Sequence, residues 1–189
     1  MVYHAAYRVL RYLKGAPGRD LWLSTTGELV LTAYCDTDCG GCQRTRRSTT
    51  GYFIQLGNNP ISWRTKKQPV VALSSAAAEY IAMASTVSEL IWLRWLLSEL
   101  GVTNSSPTPL HCDNQATLHI SANPVFHERT KHVEMDYYFV RERVTFGEIA
   151  PQKISSRDQV TDMFTRGLGA EHLSFLTSKL GLHDIHAFA

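Results

Sequence analysis

Apolar and polar residues form three short stretches in the first third of the chain with the alternation or apolar runs typical of β-strands. They predict strands over residues 28–36, 49–56 and 61–66. The Gly-Asn-Asn-Pro run at 57–60 predicts a turn between the second and third strands. Because the connections are short, we expect an antiparallel meander.

Apolar residues three or four positions apart predict helices over much of the remaining chain. The longest begins after Ser74 or Ser75, which are suited to capping it, and ends at Gly101. Further helices are expected over 3–14, 115–122, 130–144, 158–166 (capped by Asp158) and 170–180, with strands over 110–113 and 148–154. The order after the first helix predicts an α/β fold, with a five-stranded mixed sheet of three antiparallel strands and parallel additions, flanked by helices.

Four acidic residues lie at the ends of predicted strands or within predicted helices. Asp36 and Asp113 end predicted strands, Glu79 lies near the start of the long helix, and Asp162 lies in a late helix. Acids at the carboxyl ends of neighbouring strands can meet in one crevice. Such a group repels itself unless a cation such as Mg²⁺ or Mn²⁺ lies within it. Two such ions about 4 Å apart support phosphodiester hydrolysis.

Each acid also has a plainer interpretation. A strand-ending Asp is often a turn residue, Glu79 could favour the helix dipole, and Asp162 could be an exposed helix acid. The joint occurrence of all four, in this order of elements, favours the metal site.

Composition narrows the class of protein. The chain has 189 residues, of which 44% are hydrophobic and 19% charged, which excludes disorder, collagen and coiled coil. No apolar run approaches the ~18 residues of a membrane span, and the N-terminus lacks the order of a signal peptide. We therefore expect a soluble intracellular protein without a membrane partner.

The net charge of +2 says little, but the charges run in blocks. Basic residues are frequent between 44 and 67 and again between 129 and 143, whereas residues 69–110 contain one base, Arg94. Each basic block is either a solvated face or part of a phosphate-contacting rim around the carboxylates. Composition leaves both interpretations open.

The four cysteines admit two interpretations. Cys35, Cys39 and Cys42 have C-x3-C-x2-C spacing, with Cys112 a fourth candidate zinc ligand. The absence of paired Cys-x2-Cys motifs and of His partners weighs against a zinc site. Because nothing in the sequence points to secretion, free thiols are favoured over disulfides. Cys35 and Cys112 precede an Asp in apolar runs, so we expect them to be small core residues.

Four local sequences resemble, in order, the motifs of the RNase H domain of copia-type LTR retrotransposons. YCDTDCGGCQRTRRSTTGYFIQLG resembles the first, Y-S-D-A-D-W-A-G…TRRSTSGY. ISWRTKKQPVVALSSAAAEYIAMA is similar to the second, I-S-W-x-S-K-K-Q…V-A-L-S-S-x-E-A-E-Y. LHCDNQATLHISANPVFHERTKHVEMDYYFVRERV is similar to the third, C-D-N followed by NPxFHxRTKHIEID, and DQVTDMFTRGL resembles the fourth, D-Q-x-A-D-x-x-T-K. The resemblance covers residues 29–182.

The resemblance implies an RNase H-like fold over residues 26–189, with a C-terminal helix, behind a tail of the reverse transcriptase thumb at 1–25. It implies endonucleolytic hydrolysis of the RNA strand of RNA/DNA hybrids by a two-metal mechanism during reverse transcription. The expected cofactor is Mg²⁺, as two ions, with Mn²⁺ as a substitute. The expected partners are the hybrid and the reverse transcriptase domain of the same polyprotein, in a cytoplasmic virus-like particle or the nucleus.

The resemblance also assigns residues. The catalytic and metal-binding residues would be Asp36, Glu79, Asp113 and Asp162. The nucleic-acid-binding residues would be Arg44, Arg46, Arg47, Ser48, Thr49, Lys66, Lys67, Asn114, Gln115, Arg129 and Lys131.

Three departures from the motifs support a second hypothesis. Ala77 stands where the family has the first Glu of E-A-E-Y, Cys39 replaces Trp, and Thr161 replaces Ala. If position 77 rather than Glu79 supplied the ligand, the protein would be inactive. The alternative is therefore a catalytically decayed or domesticated RNase H-like nucleic-acid-binding module, with a zinc-binding interaction domain as a weaker third.

Overall fold

A computed structural model describes residues 2–14, 18–103, 105–122 and 131–184 of the chain. The elements, in chain order, are α1 Val2–Lys14, β1 Arg19–Leu21, β2 Leu31–Thr37, β3 Thr49–Leu56, β4 Asn59–Lys67, α2 Ser75–Glu99, β5 Thr108–Cys112, α3 Gln115–Ala122, α4 Lys131–Thr145, β6 Ile149–Lys153, α5 Asp162–Thr165, α6 Ala170–Lys179 and β7 Leu182–Asp184.

The main sheet has five strands in the order β4-β3-β2-β5-β6. Strands β2, β3 and β4 are antiparallel, and β5 and β6 add to β2 in parallel, which confirms the predicted mixed sheet. The turn before β4 needs only two residues, because Gly57 adopts a positive φ of 59°. Strand β4 therefore begins at Asn59, inside the predicted turn, and pairs with the end of β3.

The two faces of the sheet carry separate apolar clusters. Helix α2 packs on one face, where Tyr80 and Met83 are fully buried and the Tyr80 ring lies 3.9 Å from that of Tyr137 on α4. On the other face Phe53 packs with Leu176 of α6 in a smaller cluster. Since successive strand residues point to opposite faces, the apolar run of β3 serves both clusters.

The late helix predicted over 158–166 is wrong in its extent. Helix α5 is only Asp162–Thr165, and residues 156–158 form a turn. Asp158 caps no helix there, because its carboxylate accepts hydrogen bonds from the Ser155 hydroxyl and the Lys179 ammonium. Asp162 is therefore the first residue of its helix rather than one turn inside it.

A second, two-stranded sheet was not predicted. Strand β1, within the expected reverse transcriptase tail, pairs antiparallel with β7, and each has three residues. Helix α1 exposes its apolar side chains, with Tyr3 81% and Leu10 60% exposed. Among the described residues, no helix combines the length and apolarity needed to cross a membrane.

Candidate metal centre and nucleic-acid interface

Parallel pairing of β2 with β5 brings two of the predicted acids together. Tyr34 is paired with His111, so continuing the register places Asp36 opposite Asp113. Glu79, in the second turn of α2, reaches the same edge of the sheet. One carboxylate oxygen from each of Asp36, Glu79 and Asp113 lies within 4.8 Å of the others, and we call these three residues the carboxylate trio.

Two acids of the trio, Asp36 and Glu79, are buried, and Asp113 is half-buried. Asp36 is 0% and Glu79 6% exposed, and Glu79 Oε2 has no hydrogen-bond partner. Burial, together with nearby Cys112, Asp36 and Asp113, raises the pKa of Glu79 to about 10. Burial also raises the pKa of Asp36. Hard oxygen donors around an unpaired buried carboxylate fit a divalent cation such as Mg²⁺ or Mn²⁺.

Asp162 lies beside the trio and is joined to it by an arginine. The Arg166 Nη2 atom lies 2.9 Å from Asp162 Oδ1 and 3.3 Å from both carboxylate oxygens of Asp36. Asp162 is 4% exposed, and burial followed by the charge of Asp36 raises its pKa to about 6. The structure thus groups three of the four predicted acids directly and the fourth through Arg166.

Sequence reasoning missed three side chains that hold these acids. Thr165 and Arg166 follow Asp162 by three and four positions, so Asp162, Thr165 and Arg166 lie on one side of the same turn. The Thr165 hydroxyl donates a hydrogen bond to Asp36 Oδ2. The Ser156 hydroxyl donates to Asp113 Oδ2 at 2.8 Å. The fourth motif included Thr165 and a basic residue after it, and that was the available signal.

Ala77 lies on a different side of α2 from Glu79. It is 2% exposed and belongs to the apolar cluster that includes Tyr80 and Tyr137. Ala77 is two positions before Glu79 in α2, which places the two side chains about 200° apart around the helix. The α2 carboxylate in the trio is therefore Glu79, as the motif alignment implied.

The predicted nucleic-acid-binding residues divide into exposed and structural positions. Arg44, Arg46, Lys66 and Lys67 are exposed at the β2–β3 loop and the end of β4. The loop is tied to β4: Lys67 Nζ donates to Cys42 Sγ at 3.0 Å and Arg47 Nη1 to the Pro69 carbonyl at 3.3 Å. We call the loop 38–48 with the end of β4 the basic rim.

Other members of that predicted set have local partners. Ser48 is buried and accepts a hydrogen bond from the Gly40 amide, and Thr49 is the first residue of β3. Asn114 Oδ1 accepts from the Thr117 amide at the start of α3, and Gln115 is exposed there. Arg129 and the side chain of Lys131 lie outside the described residues.

The cysteines do not gather around a metal. Cys35 and Cys112 are buried, Cys39 is exposed and Cys42 is half-buried, all as free thiols. In the part of the chain that the structure describes, the group of three or more potential ligands is the carboxylate trio. Hydrogen bonds from Thr45, then Lys67, lower the pKa of the Cys42 thiol to about 6.

The chain is similar in sequence to transposon polyproteins of plants. It is 42% identical over 180 residues to the retrovirus-related Pol polyprotein from transposon RE2 of Arabidopsis thaliana, a match covering 95% of this chain and 12% of that protein. It is 35% identical over 176 residues to the corresponding polyprotein from transposon TNT 1-94 of Nicotiana tabacum, covering 93% and 13%. The chain thus spans about an eighth of these relatives. No protein-family model matches it.

Solved structures agree on the fold. RNase H1 of the archaeon Halobacterium salinarum NRC-1 superposes with a TM-score of 0.51 at 12% identity, over 71% of this chain and 93% of that one. LC11-RNase H1 in complex with RNA/DNA hybrid gives 0.52 at 11% identity, over 71% and 93%. The chain therefore belongs to the family of the retrovirus-related Pol polyproteins of transposons, of which it represents a segment with an RNase H-like fold.

Proposed function

We propose that the chain is a metal-dependent ribonuclease H that cuts the RNA strand of RNA/DNA hybrids endonucleolytically during retrotransposon reverse transcription. The observation that carries the proposal is the carboxylate trio at the edge of an RNase H-like sheet, with Asp36 and Glu79 buried and one Glu79 oxygen without a hydrogen-bond partner. Buried carboxylates held this close need a compensating cation if they are all to be ionised.

Two Mg²⁺ ions, or Mn²⁺ in their place, would be held by Asp36, Glu79 and Asp113 and by Asp36 with Asp162. When bound, the ions supply an activated water and stabilisation of the leaving 3′ oxygen. The protein's own contribution is to fix the ligands. Thr165 and Ser156 orient the carboxylates of Asp36 and Asp113 through their hydroxyl hydrogen bonds.

The basic rim would bind the hybrid beside these carboxylates. Its exposed Arg44, Arg46 and Lys66 can contact backbone phosphates. A protein distinguishes an RNA/DNA hybrid by groove shape and 2′-hydroxyls more than by base edges. Asn114 and Gln115, which follow the ligand Asp113, would lie beside the scissile strand.

Within a polyprotein, residues 1–25 would be the tail of the reverse transcriptase thumb, and 26–189 the RNase H-like domain of a copia-type element. The exposed apolar side chains of α1 support this division, since a partner such as the reverse transcriptase would cover them. The chain would then act in a cytoplasmic virus-like particle or in the nucleus.

The alternative of a decayed binding module is less well supported. Its strongest motive was Ala77, which packs in the apolar cluster rather than beside the trio. The remaining departures are Cys39 in place of Trp and Thr161 in place of Ala. Neither Trp nor Ala carries a carboxylate, so these replacements remove no metal ligand. The geometry therefore favours the nuclease.

A substrate panel tests this proposal. The full chain would be incubated with Mg²⁺ and four end-labelled duplexes or strands of one sequence: RNA/DNA hybrid, double-stranded RNA, double-stranded DNA and single-stranded RNA. We expect internal cuts in the RNA of the hybrid alone. Binding of the hybrid without cutting, in Mg²⁺ and in Mn²⁺, would support the decayed module instead.

A further inference from the structure

The positively charged side chain of Arg166 lies among the predicted metal ligands. Its Nη2 atom lies 3.3 Å from Asp36 Oδ1, 3.3 Å from Asp36 Oδ2 and 2.9 Å from Asp162 Oδ1. Guanidinium N–H groups donate into the same oxygen lone pairs that a metal ion would use. The pair Asp36–Asp162 therefore cannot hold this side chain and a divalent ion in the same arrangement.

The two halves of the site differ in this respect. On the side of Glu79 and Asp113, the buried Glu79 Oε2 has no partner, which leaves that half ready for a cation. On the side of Asp162, the Arg166 guanidinium supplies one positive charge, in an ion pair with Asp162 and in hydrogen bonds to both carboxylate oxygens of Asp36. This charge compensates the carboxylates of Asp36 and Asp162, whereas Glu79 Oε2 has no hydrogen-bond partner.

The Arg166 side chain also has space into which it can move away from the two carboxylates. Its side chain is 47% exposed, whereas those of Asp36 and Asp162 are 1% and 5% exposed. It lines an open cavity of about 840 Å³ that is also lined by Asp162, Arg157 and His172. A half-exposed arginine beside such a space can exchange a carboxylate for a phosphate without moving the backbone.

We propose that Arg166 occupies the second cation position of the free protein and yields it when a backbone phosphate of the nucleic acid draws its guanidinium away. This inference rests on the proposed function and adds an order of events to it. The free protein binds one divalent ion, at the carboxylate trio. The second ion binds when the hybrid is present, which couples metal loading to substrate.

Counting bound ions tests the coupling without any measurement of cleavage. The full chain would be titrated with Mn²⁺, and free Mn²⁺ followed by electron paramagnetic resonance. We expect one ion on the wild type and two on Arg166→Gln, with the second site tightened about tenfold or more, as for a typical coupling between sites. Arg166→Lys keeps a positive charge but loses the paired N–H donors of the guanidinium. Its affinity for the second ion should lie between those of the wild type and Arg166→Gln.

The matched control is Arg157→Gln, which removes a guanidinium from the same cavity. The Arg157 guanidinium lies over the Phe175 ring, 5.3 Å from its centroid, so this variant should still bind one ion. Circular dichroism of each variant separates loss of fold from a change in ion count. Two ions on the free wild type, or equal counts on wild type and Arg166→Gln, would overturn the proposal.

A second arm uses a hybrid made resistant to cleavage by 2′-O-methyl groups on its RNA strand. Saturating wild type with it should raise the count from one ion to two, whereas Arg166→Gln should hold two with or without it. An unchanged count on hybrid-bound wild type contradicts the coupling. Failure of the wild type to bind the hybrid at all would instead contradict the proposed function, so the two failures are distinguishable.

Discussion

Glu79 is a carboxyl group whose burial and acidic neighbours both disfavour its negative charge. A carboxylate that is 6% exposed, near Asp36 and Asp113 and with one oxygen unpaired, is held in its protonated form, which its pKa of about 10 expresses. A divalent ion bound there would replace that proton and relieve the repulsion. Proton and metal would then compete for one group, and the effect of each on the stability of the fold can be measured.

The pH dependence of stability follows from this competition. Since the folded pKa of Glu79 is raised from 4.5 to about 10, the folded protein binds more protons than the unfolded chain in that window. The contribution of Glu79 to stability in EDTA is therefore full below about pH 4.5 and is lost as the pH rises toward about 10. We expect the Tm of Glu79→Gln to fall less than that of the wild type between about pH 6 and about pH 9.

Differential scanning calorimetry in EDTA measures this difference. Glu171→Gln, at an exposed position of α6, is the control and should keep the wild-type slope. Parallel slopes for Glu79→Gln and wild type would mean that the carboxylate is not buried in its protonated form.

Cys42 offers a second test at a single residue. Hydrogen bonds from Thr45 and Lys67 lower its thiol pKa to about 6, so most of the side chain is thiolate at neutral pH. We expect iodoacetamide to alkylate Cys42 faster than the exposed Cys39 at about pH 7. Lys67→Gln should raise the midpoint of the rate against pH, while Lys66→Gln should leave it in place, as followed by peptide mass spectrometry. Equal rates at both cysteines would contradict the lowered pKa of Cys42, and an unchanged midpoint in Lys67→Gln would contradict the contribution of Lys67.

At the scale of elements, length decided what the sequence could predict. Helix α2, with 25 residues, and strand β3, with eight, repeat their pattern often enough to be recognised, and both were predicted to within a residue or two. Strands β1 and β7 have three residues each, too few for any periodicity. Helix α5 has four, and its boundaries follow from its contacts with β2 and β3.

The two faces of α2 predict the effect of restoring the family's glutamate. Ala77→Glu would place a larger, charged side chain among Tyr80, Tyr137 and the other residues of the apolar cluster. We expect no gain in hybrid cleavage and a loss of about 1–3 kcal/mol in the free energy of unfolding, from overpacking. Urea denaturation measures the loss, with Ser75→Glu at the exposed start of α2 as the control. Higher activity in Ala77→Glu would show that Glu79 is not the sole α2 ligand.

At the scale of the whole molecule, the topology explains the long gaps between the acids. Parallel β2 and β5, separated in the chain by residues 38–107, lie side by side, and α2 crosses the same edge. The positions of Asp36, Glu79 and Asp113 at the ends or starts of elements were visible in the sequence. Their partners Thr165, Arg166 and Ser156 were not, because the pairing depends on how α5 and the turn before it pack on the sheet.

The net charge of +2 similarly conceals a local basic surface. Arg44, Arg46, Lys66 and Lys67 are exposed on the basic rim, whereas the carboxylates lie in the site next to it. We expect Arg44→Gln with Arg46→Gln to weaken hybrid binding and to reduce the slope of log affinity against log salt by about 1–2. Fluorescence anisotropy in EDTA measures the slope. Arg11→Gln, on the exposed face of α1, should leave it unchanged, and an equal effect of both changes would remove the basic rim from the interface.

We propose that the carboxylate trio performs metal-dependent cleavage of hybrid RNA. This proposal is tested most directly by the rate at which Asp113→Asn cuts a labelled hybrid in Mg²⁺, beside the wild type and Glu99→Gln, an exposed acid of α2. Because a metal ion supplies several kcal/mol to the transition state, we predict a loss of about a hundredfold or more for Asp113→Asn and none for Glu99→Gln. Cleavage by Asp113→Asn at the wild-type rate would contradict the account.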